Sequence, residues 1–210
     1  MRYLVTGSGV LGSSLAERLR TGGHDVVVID ITPPATAADR QVDLRIRSQL
    51  DPILEGVDGV FHTAALHGFR DNPPIEFCEV NLQGTWNLLD AMHEAGVTRL
   101  VHSSTVGVIG KPDERPRAID HTTPTNARHD TYDTTKRLGE ELIQLLAPKF
   151  GIEWVCLRYG GFEDYIRQVF DGLPYVWASS GALVCLDDVV TANLQAMTGL
   201  PLPSRGYLVI

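Results

Sequence analysis

The hydrophobic pattern at the beginning of the chain changes from a strand-like run to helical spacing and back to a strand-like run. Residues 2–5 form a short apolar run that predicts a strand. Apolar residues then recur at helical spacing, at Leu11, Leu15 and Leu19. The apolar run at 26–29 predicts a second buried strand, which ends in Asp30. The chain therefore opens with a strand–turn–helix–strand unit.

The same alternation continues along the rest of the chain. Further strands are predicted at residues 40–44, 57–63, 99–103, 152–158 and near 207–209. A helix is predicted at 46–54. A second begins after Asn72, and its core stripe is Leu82, Trp86, Leu89 and Met92. A third contains Tyr132 and carries the apolar residues Leu138, Leu142, Leu145 and Leu146. Strands that alternate with helices form parallel sheets with helices on both faces. The pattern predicts an α/β fold with a doubly wound parallel sheet.

Three glycines follow the first strand at the spacing G-x-G-x-x-G. Gly7 allows a tight turn, Gly9 lets the backbone approach a pyrophosphate, and Gly12 lets the helix pack closely on the strand. The pyrophosphate would then meet unpaired N–H groups at the positive end of the helix dipole. Because the strand, the helix and the acid stand where this motif requires them, we predict a Rossmann-type dinucleotide site.

Asp30 indicates which dinucleotide binds. Its carboxylate would accept hydrogen bonds from the two hydroxyls of the adenosine ribose. A carboxylate repels a 2′-phosphate, and residues 31–38 contain no Arg or Lys that would attract one. We therefore expect NAD rather than NADP.

Composition excludes several classes of partner. The 18 Lys and Arg against 26 Asp and Glu give a net charge of −8 without any basic block, which argues against nucleic acid and against an anionic membrane. The chain begins with a strand rather than a signal peptide, and no apolar run is long enough to span a bilayer, so a cytoplasmic protein is expected. Cys78, Cys156 and Cys185 lack the spacing of metal ligands, so we expect reduced core thiols and no metal site.

A second group of chemically active side chains lies in the middle of the chain. Tyr132 and Lys136 are one helical turn apart, so both side chains lie on one face of the helix. A nearby ammonium stabilises a phenolate and lowers the tyrosine pKa from about 10 toward working pH. Thr105, at the end of the fifth strand, would hold the substrate oxygen beside the phenol. The three residues are predicted to form a proton relay next to a hydride acceptor.

The chain resembles the extended short-chain dehydrogenase/reductases of the NAD-dependent epimerase/dehydratase group. The resemblance rests on VTGSGVLG at the start, Asp43-Leu44, HTAA at 62–65, VNLQGTWNLLDA, RLVHSSTVGVIG, YDTTKRLGEE, LRYGG and CLDDVVTANLQAM. These motifs extend over nearly the whole chain, in the order and at the spacing of the family.

The resemblance implies roles for individual residues. Contacts to NAD are implied for Gly7, Gly9, Val10, Leu11, Gly12, Asp30, Asp43, Leu44, Ala64, Ala65, Asn81, Ser103, Tyr132, Lys136 and Tyr159. Catalytic roles are implied for Thr105, Tyr132 and Lys136. The pair Asp187 and Asp188 resembles the family's late helix start, where an aspartate caps the helix. Family members commonly dimerise through helices at about residues 75–95 and 130–147, so a homodimer is expected. Leu142, Leu145 and Leu146 fit either a core stripe or such an interface.

Two short departures from the family pattern concern the site itself. The glycine loop is one residue shorter than the TGxxGxxG of extended members, which indicates rearranged pyrophosphate contacts. Asp133 and Thr135 replace the commoner Gly and Ser after the tyrosine, a change that we expect to be tolerated.

The resemblance also divides the chain. Residues 1–160 would form the NAD-binding domain, and 161–210 a reduced substrate-binding lid with the last sheet elements, a small C-terminal appendage rather than an independent domain. Members that bind nucleotide sugars place much of a substrate domain in the segment where this chain has only residues 159–186. A short lid would hold a bulky nucleotide sugar poorly, which favours a monosaccharide, lactone, polyol or keto compound.

Candidate substrate contacts follow the fourth and fifth strands. His67 and Arg70 face the expected substrate space, as does Thr105. His67 would orient a hydroxyl or be a surface histidine, and Arg70 would hold an anionic group or be an exposed arginine. His62 and His102 lie within buried strands and are expected to be satisfied core histidines.

Two classes of function fit these patterns. The leading hypothesis is an NAD-dependent oxidoreductase or epimerase that acts on a hydroxyl-bearing carbon of a sugar or another small hydroxy compound. Tyr132 would take the hydroxyl proton while the carbon gives hydride to NAD. Re-reduction on the other face would give epimerisation, and release would give dehydrogenation. The alternatives are a catalytically silent NAD-binding sensor or scaffold subunit, and a decayed paralogue.

Overall fold

The computed structural model describes residues 1–68, 71–111, 113–116, 118–128, 130–169, 183–198 and 206–209. Its strands are β1 (Arg2–Thr6), β2 (Asp25–Asp30), β3 (Arg40–Gln41), β4 (Gly59–His62), β5 (Arg99–Thr105), β6 (Glu153–Tyr159), β7 (Gly161–Phe162), β8 (Leu183–Val184) and β9 (Gly206–Val209). Seven of them form one parallel sheet in the order β3-β2-β1-β4-β5-β6-β9, and β7 pairs with β8. The predicted doubly wound parallel sheet is confirmed.

Helices connect the strands. They are α1 (Val10–Thr21), α2 (Asp51–Leu54), α3 (Pro74–Cys78), α4 (Gly84–Ala95), α5 (Thr131–Leu146), α6 (Glu163–Val169) and α7 (Leu186–Thr198). Short 3-10 turns occupy Arg47–Gln49 and Val106–Ile109, and a π-helical turn at Glu79–Gln83 joins α3 to α4. Within the described residues, no helix has the length and apolar character needed to cross a membrane.

Both faces of the sheet are buried. In β1, Leu4 packs into one apolar cluster with residues of α4 and α5, while Tyr3 and Val5 pack into a second cluster with residues of α1 and α7. The helical stripe predicted from the leucine spacing of α1 is confirmed, since Leu15 and Leu19 are both buried in the second cluster. Strands covered on both faces appear as continuous apolar runs, which explains the pattern of the sequence.

The region after β2 differs from its prediction. The strand expected at 40–44 is paired only at Arg40–Gln41, because the chain turns at Asp43, where Ile46 N–H donates to the Asp43 carbonyl at 2.9 Å. The helix expected at 46–54 is a 3-10 turn followed by the short α2, which carries a proline in its first turn. Proline suits a helix start and not a helix interior, so the segment splits there.

The stripe predicted for the third helical region was wrong at Trp86, which is 49% exposed. The π-helical turn before α4 adds a residue to one turn and rotates the following helix. As a result Asn81 and Thr85 face inward, and Leu88 takes the core position beside Leu89.

In α5, Leu145 is 64% exposed and Ile143 lies in the core, so of the two alternatives for Leu145, a core stripe or an interface, the core position is excluded. The prediction of core thiols was wrong for two cysteines. Of the three free cysteines only Cys156 is buried, while Cys78 is half-buried and Cys185 is exposed.

Candidate functional site

The site lies where the sheet changes direction. The strands β2 and β3 lie on one side of β1, and β4, β5 and β6 lie on the other. Ligands of open α/β sheets bind in the crevice at the carboxyl ends of strands at this point. The loops after β1 and β4 meet there, and Ala64 N–H donates to Thr6 Oγ1 at 3.2 Å.

The three glycines of the first loop have distinct surroundings. Gly7 has φ +85°, and a Cβ on it would lie 2.8 Å from Ala64 Cα. A Cβ on Gly12 would overlap the Gly7 carbonyl oxygen, so α1 packs on the loop only with glycine there. A Cβ on Gly9 would meet nothing within 4 Å, which leaves open space above that backbone. The first and third glycines are required for packing, and the second leaves room for a ligand.

The start of α1 faces this open space. Gly9 caps the helix without any side-chain hydrogen bond, and Val10 in the first turn is 40% exposed, while Leu11 is buried. N–H groups of a first helical turn have no partner within the helix and favour an anion. The loop therefore fits a pyrophosphate.

Asp30 ends β2 at the edge of the same crevice. Its carboxylate accepts four hydrogen bonds, from the N–H and hydroxyl of Ser8 and from the N–H and hydroxyl of Thr32. Burial pushes the pKa of Asp30 upward, but the hydrogen bonds from Ser8 and Thr32 outweigh burial and hold the pKa below its ordinary value. The group is ionised at neutral pH. Sequence reasoning found Asp30 and missed both hydroxyls.

Two further predicted cofactor residues follow β3. Asp43 is held by Arg45, whose Nε and Nη2 donate to its two oxygens at 2.9 and 2.7 Å. The hydrogen bonds and charge of Arg45 lower the pKa of Asp43. Leu44 is buried against α4, where a Cβ on Gly84 would approach its Cβ to 3.1 Å.

Asn81 bridges the loop after β4 to α5. Its Oδ1 accepts from Leu66 N–H at 2.8 Å, and its Nδ2 donates to Leu66 O at 3.2 Å and to Thr135 Oγ1 at 3.0 Å. The π-helical turn carries Asn81 into this position. Both ends of the amide are therefore engaged within the chain, and Asn81 fixes the loop that follows Ala65.

Thr105, Tyr132 and Lys136 come from two neighbouring elements. Thr105 is the last residue of β5, and its Oγ1 accepts from Gly107 N–H at 3.0 Å. Tyr132 and Lys136 lie in the first turns of α5, which packs against β5 and against the following 3-10 turn. The Asp130 side chain caps this helix and accepts from Asp133 N–H at 2.7 Å.

The Lys136 amine has a different partner from the one predicted. Its side chain is buried, and Nζ lies 3.2 Å from His102 Nε2. Burial lowers the pKa of Lys136 to about 8, against the opposing charges of Cys156 and Glu140. Because an ammonium only donates, Nε2 of His102 accepts and the ring proton lies on Nδ1, which has no hydrogen-bond partner within the described part of the chain.

The expected lowering of the Tyr132 pKa was wrong. Burial raises the pKa of Tyr132, and the carboxylates of Asp133 and Asp130 raise it further. The Lys136 charge that was expected to oppose them is held at His102.

His62 is the satisfied core histidine that the sequence predicted. Its Nδ1 lies 2.7 Å from Thr6 Oγ1, and its Nε2 lies 2.9 Å from Thr85 Oγ1. Burial and the Lys136 charge lower the pKa of His62 to about 3. His102, whose ring lies 4.9 Å from that of His62, has its pKa lowered by burial, by Lys136 and by His62. Both imidazoles are neutral.

Asp133, which was expected to be a tolerated change, lies against the 3-10 turn that follows β5. Its carboxylate occupies the space that a side chain on Gly107 would fill. Burial, then the charge and hydrogen bond of Asp130, raise the pKa of Asp133 to about 7, against the charge of Arg115. Its place inside the Tyr-x-x-x-Lys motif was the signal that could have drawn attention to it.

The substrate candidates divide between described and undescribed residues. The His67 ring lies 4.9 Å from the Tyr132 ring at an angle of 33°, so the structure brings these two residues together. Arg70 lies outside the described residues. Ser103 lies in β5 two positions before Thr105, and Tyr159 is buried, with its hydroxyl accepting from Asn193 Nδ2 at 2.7 Å.

A buried ion pair joins α5 to β6 beside the end of β5. The Arg158 guanidinium donates to both oxygens of Glu140, at 2.9 and 2.7 Å, and Ser104 Oγ donates to Glu140 at 2.6 Å. Arg158 and Glu140 are only 2% and 1% exposed. Glu140 is one helical turn after Lys136, so the pair fixes α5 against the strand that carries Thr105.

Comparison with known proteins agrees with this arrangement. The sequence pattern of the NAD dependent epimerase/dehydratase family matches residues 3–163. The chain is 37% identical to a UDP-glucose 4-epimerase of Corynebacterium glutamicum over 170 residues, which cover 76% of this chain and 50% of the relative. It is 35% identical to the UDP-glucose 4-epimerase of Halalkalibacterium halodurans over 171 residues, 76% of this chain and 50% of that one. The chain thus spans about half the length of these relatives.

Solved structures show the same fold. The Thermus thermophilus UDP-glucose 4-epimerase complex with NAD superposes with a TM-score of 0.81 at 27% identity, over 100% of this chain and 77% of that one. The uronate dehydrogenase of Agrobacterium tumefaciens superposes with a TM-score of 0.79 at 25% identity, over 99% of this chain and 75% of that one. On these matches, this chain belongs to the NAD dependent epimerase/dehydratase family.

Proposed function

We propose that this protein binds NAD and oxidises a hydroxyl-bearing carbon of a sugar or another small hydroxy compound, with epimerisation as the outcome if the oxidised sugar is reduced again on its other face. The observation that carries the proposal is the position of Thr105, Tyr132 and Lys136. They lie on elements at the carboxyl edge of the sheet, the edge at which the open glycine loop also ends.

The residues of the crevice fit NAD. The open space at Gly9 and the start of α1 would hold the pyrophosphate, and Asp30 would hold the adenosine ribose. The ionised Asp30 carboxylate would repel a 2′-phosphate, which favours NAD over NADP. When bound, NAD supplies a nicotinamide ring that accepts hydride from the substrate carbon.

Three side chains carry out the proton transfer and bind the reacting oxygen. Tyr132 takes the proton from the substrate hydroxyl, and Thr105 Oγ1 donates a hydrogen bond to the reacting oxygen. Lys136 brings a positive charge that stabilises the phenolate. Burial of Lys136 and of Tyr132 strengthens that attraction, because water screens it less.

A sugar substrate is supported by the names of the relatives, which are a UDP-glucose 4-epimerase and a uronate dehydrogenase. His67, which lies against the Tyr132 ring, is proposed to orient a substrate hydroxyl. The notional division of the chain at residue 160, with a lid in 161–210, is likewise a proposal.

We also propose a homodimer formed through α3, α4 and α5. Ile75, Trp86 and Leu145 are exposed on these helices by 62%, 49% and 64%. Large apolar side chains on neighbouring helices are typical of an interface. Trp86→Ser with Leu145→Ser should convert a dimer into a monomer in sedimentation, and an unchanged sedimentation coefficient would contradict this interface.

The test of the proposed reaction is conversion of a panel of substrates. NAD-loaded protein is incubated with UDP-sugars, uronates, monosaccharides and polyols, and the products are separated by chromatography. We expect conversion of at least one sugar, abolished in Tyr132→Phe and retained in Tyr165→Phe, which changes a tyrosine of α6 outside the Tyr-x-x-x-Lys motif. Conversion by Tyr132→Phe at the native rate would refute the mechanism.

A second candidate is a silent NAD-binding sensor or scaffold subunit. The observation that favours it is the raised pKa of Tyr132 together with the engagement of Lys136 by His102. If the chain binds NAD tightly and converts none of the panel, this second function is the better description.

A further inference from the structure

Two hydroxyls cover the carboxylate of Asp30. Ser8 Oγ donates to Oδ2 at 2.9 Å, and Thr32 Oγ1 donates to Oδ1 at 3.1 Å. The hydroxyls themselves are 3.3 Å apart, and both residues are exposed. One hydroxyl donates to each carboxylate oxygen, as the two hydroxyls of a vicinal diol would.

The carboxylate has no acceptor position left. An ionised carboxyl offers about four lone-pair sites. Ser8 N–H and Thr32 N–H occupy two of them at 2.6 and 2.9 Å, and the two hydroxyls occupy the others. The N–H donors are fixed by the backbone, whereas the hydroxyls can rotate away. A ligand diol that binds Asp30 must therefore replace the hydroxyl bonds.

We propose that Ser8 and Thr32 act as an internal substitute for the ribose diol, so that NAD must displace both hydroxyls from Asp30 when it binds. The inference rests on the proposed NAD site. The two hydroxyls then compete with the cofactor for the Asp30 carboxylate, although both lie within the proposed cofactor site.

The sign of the effect separates this proposal from a simple contact. If the hydroxyls compete, removing one leaves Asp30 with a free lone pair, and NAD binds more tightly. If they bind the ribose as ordinary ligands, removing one weakens binding. A charged hydrogen bond exposed to water is partly replaced by water, so we expect a gain of roughly three- to tenfold in affinity for each single variant.

The experiment measures dissociation constants by titration calorimetry for the native chain, Ser8→Ala, Thr32→Val and the double variant. The ligands are NAD, ADP and 2′,3′-dideoxy-ADP, which lacks the diol. Ser14→Ala is the matched control, because its hydroxyl bonds within α1 to Val10 O and not to Asp30. Thermal unfolding of each variant verifies that it is folded.

We expect tighter binding of NAD and ADP by both variants, the largest gain in the double variant, and no gain for the dideoxy ligand or for the control. Equal or weaker NAD binding by Ser8→Ala and Thr32→Val would overturn the inference while leaving the NAD site intact. An equal gain for the dideoxy ligand would also overturn it, since loop loosening would then be the cause. A native chain that binds neither NAD nor ADP would refute the proposed function along with it.

Discussion

Replacing Asp133 by Asn should stabilise the protein at alkaline pH and leave it nearly unchanged in mild acid. The carboxyl lies over Gly107, shares a hydrogen bond with Asp130 and faces Arg115, and its pKa is raised from 3.8 to about 7. In the unfolded chain the group ionises near its ordinary pKa. Between pH 4 and 7 the folded chain therefore binds the extra proton, and stability falls as the pH rises through that window.

The expected gain in the free energy of unfolding has an upper limit, and several effects reduce it. The full shift corresponds to about 4 kcal/mol at 1.36 kcal/mol for each pKa unit. The side chain is only partly buried, and Arg115 recovers some of the charge energy. Asn also gives up the attraction of an acid for the first turn of α5, about 0.3–1 kcal/mol. We expect a net gain of about 1–2 kcal/mol above pH 7.

The assay is urea unfolding of the native chain and Asp133→Asn at pH 5 and pH 8, followed by tryptophan fluorescence. The exposed Asp113, changed to Asn, is the control that accounts for the general loss of one acidic side chain. A difference between Asp133→Asn and the native chain that is the same at both pH values would refute the reasoning.

Two other substitutions test the packing beneath the site. Glu140→Ala removes the carboxylate that pairs with the buried Arg158, and it should reduce the free energy of unfolding in urea by about 3–5 kcal/mol. A loss below about 1 kcal/mol would mean that water or another group compensates the Arg158 charge. Gly12→Ala places a methyl group on the Gly7 carbonyl oxygen and should lower stability by at least about 1–3 kcal/mol. Gly139→Ala is its control, because a Cβ on this glycine of α5 would approach no atom outside its own helix closer than 3.8 Å, and equal stability of Gly12→Ala and the native chain would contradict the close packing of α1 on the loop.

Much of the architecture follows from the sequence because its signals are local. Strands buried on both faces leave continuous apolar runs, and the positions of Gly7 and Gly12 are fixed by backbone contacts that no other residue allows. Asp30 could be found for the same reason, since it follows directly from the end of the second strand.

The features that the sequence did not reveal have two causes, a local break in helical periodicity and contact between distant parts of the chain. Helical periodicity placed Trp86 in the core because it assumes 3.6 residues in every turn, and the π-helical turn before α4 breaks that count. The spacing gave no sign of the contact between Lys136 and His102, because the fold brings this histidine of the neighbouring strand within 3.2 Å of the amine. The role of Asp133 depends likewise on Gly107, a residue remote in sequence.

The most direct test of the central claim is a single turnover with the sugar that the panel identifies. Stoichiometric NAD is bound to the protein, the sugar is added, and the absorbance of reduced nicotinamide is followed in the native chain and in Tyr132→Phe. We predict a rise in the native chain, transient if the sugar is epimerised, and a rate at least about 100-fold lower in Tyr132→Phe with unchanged NAD affinity. A rise at the same rate in both proteins would show that Tyr132 does not take the proton and would contradict the account.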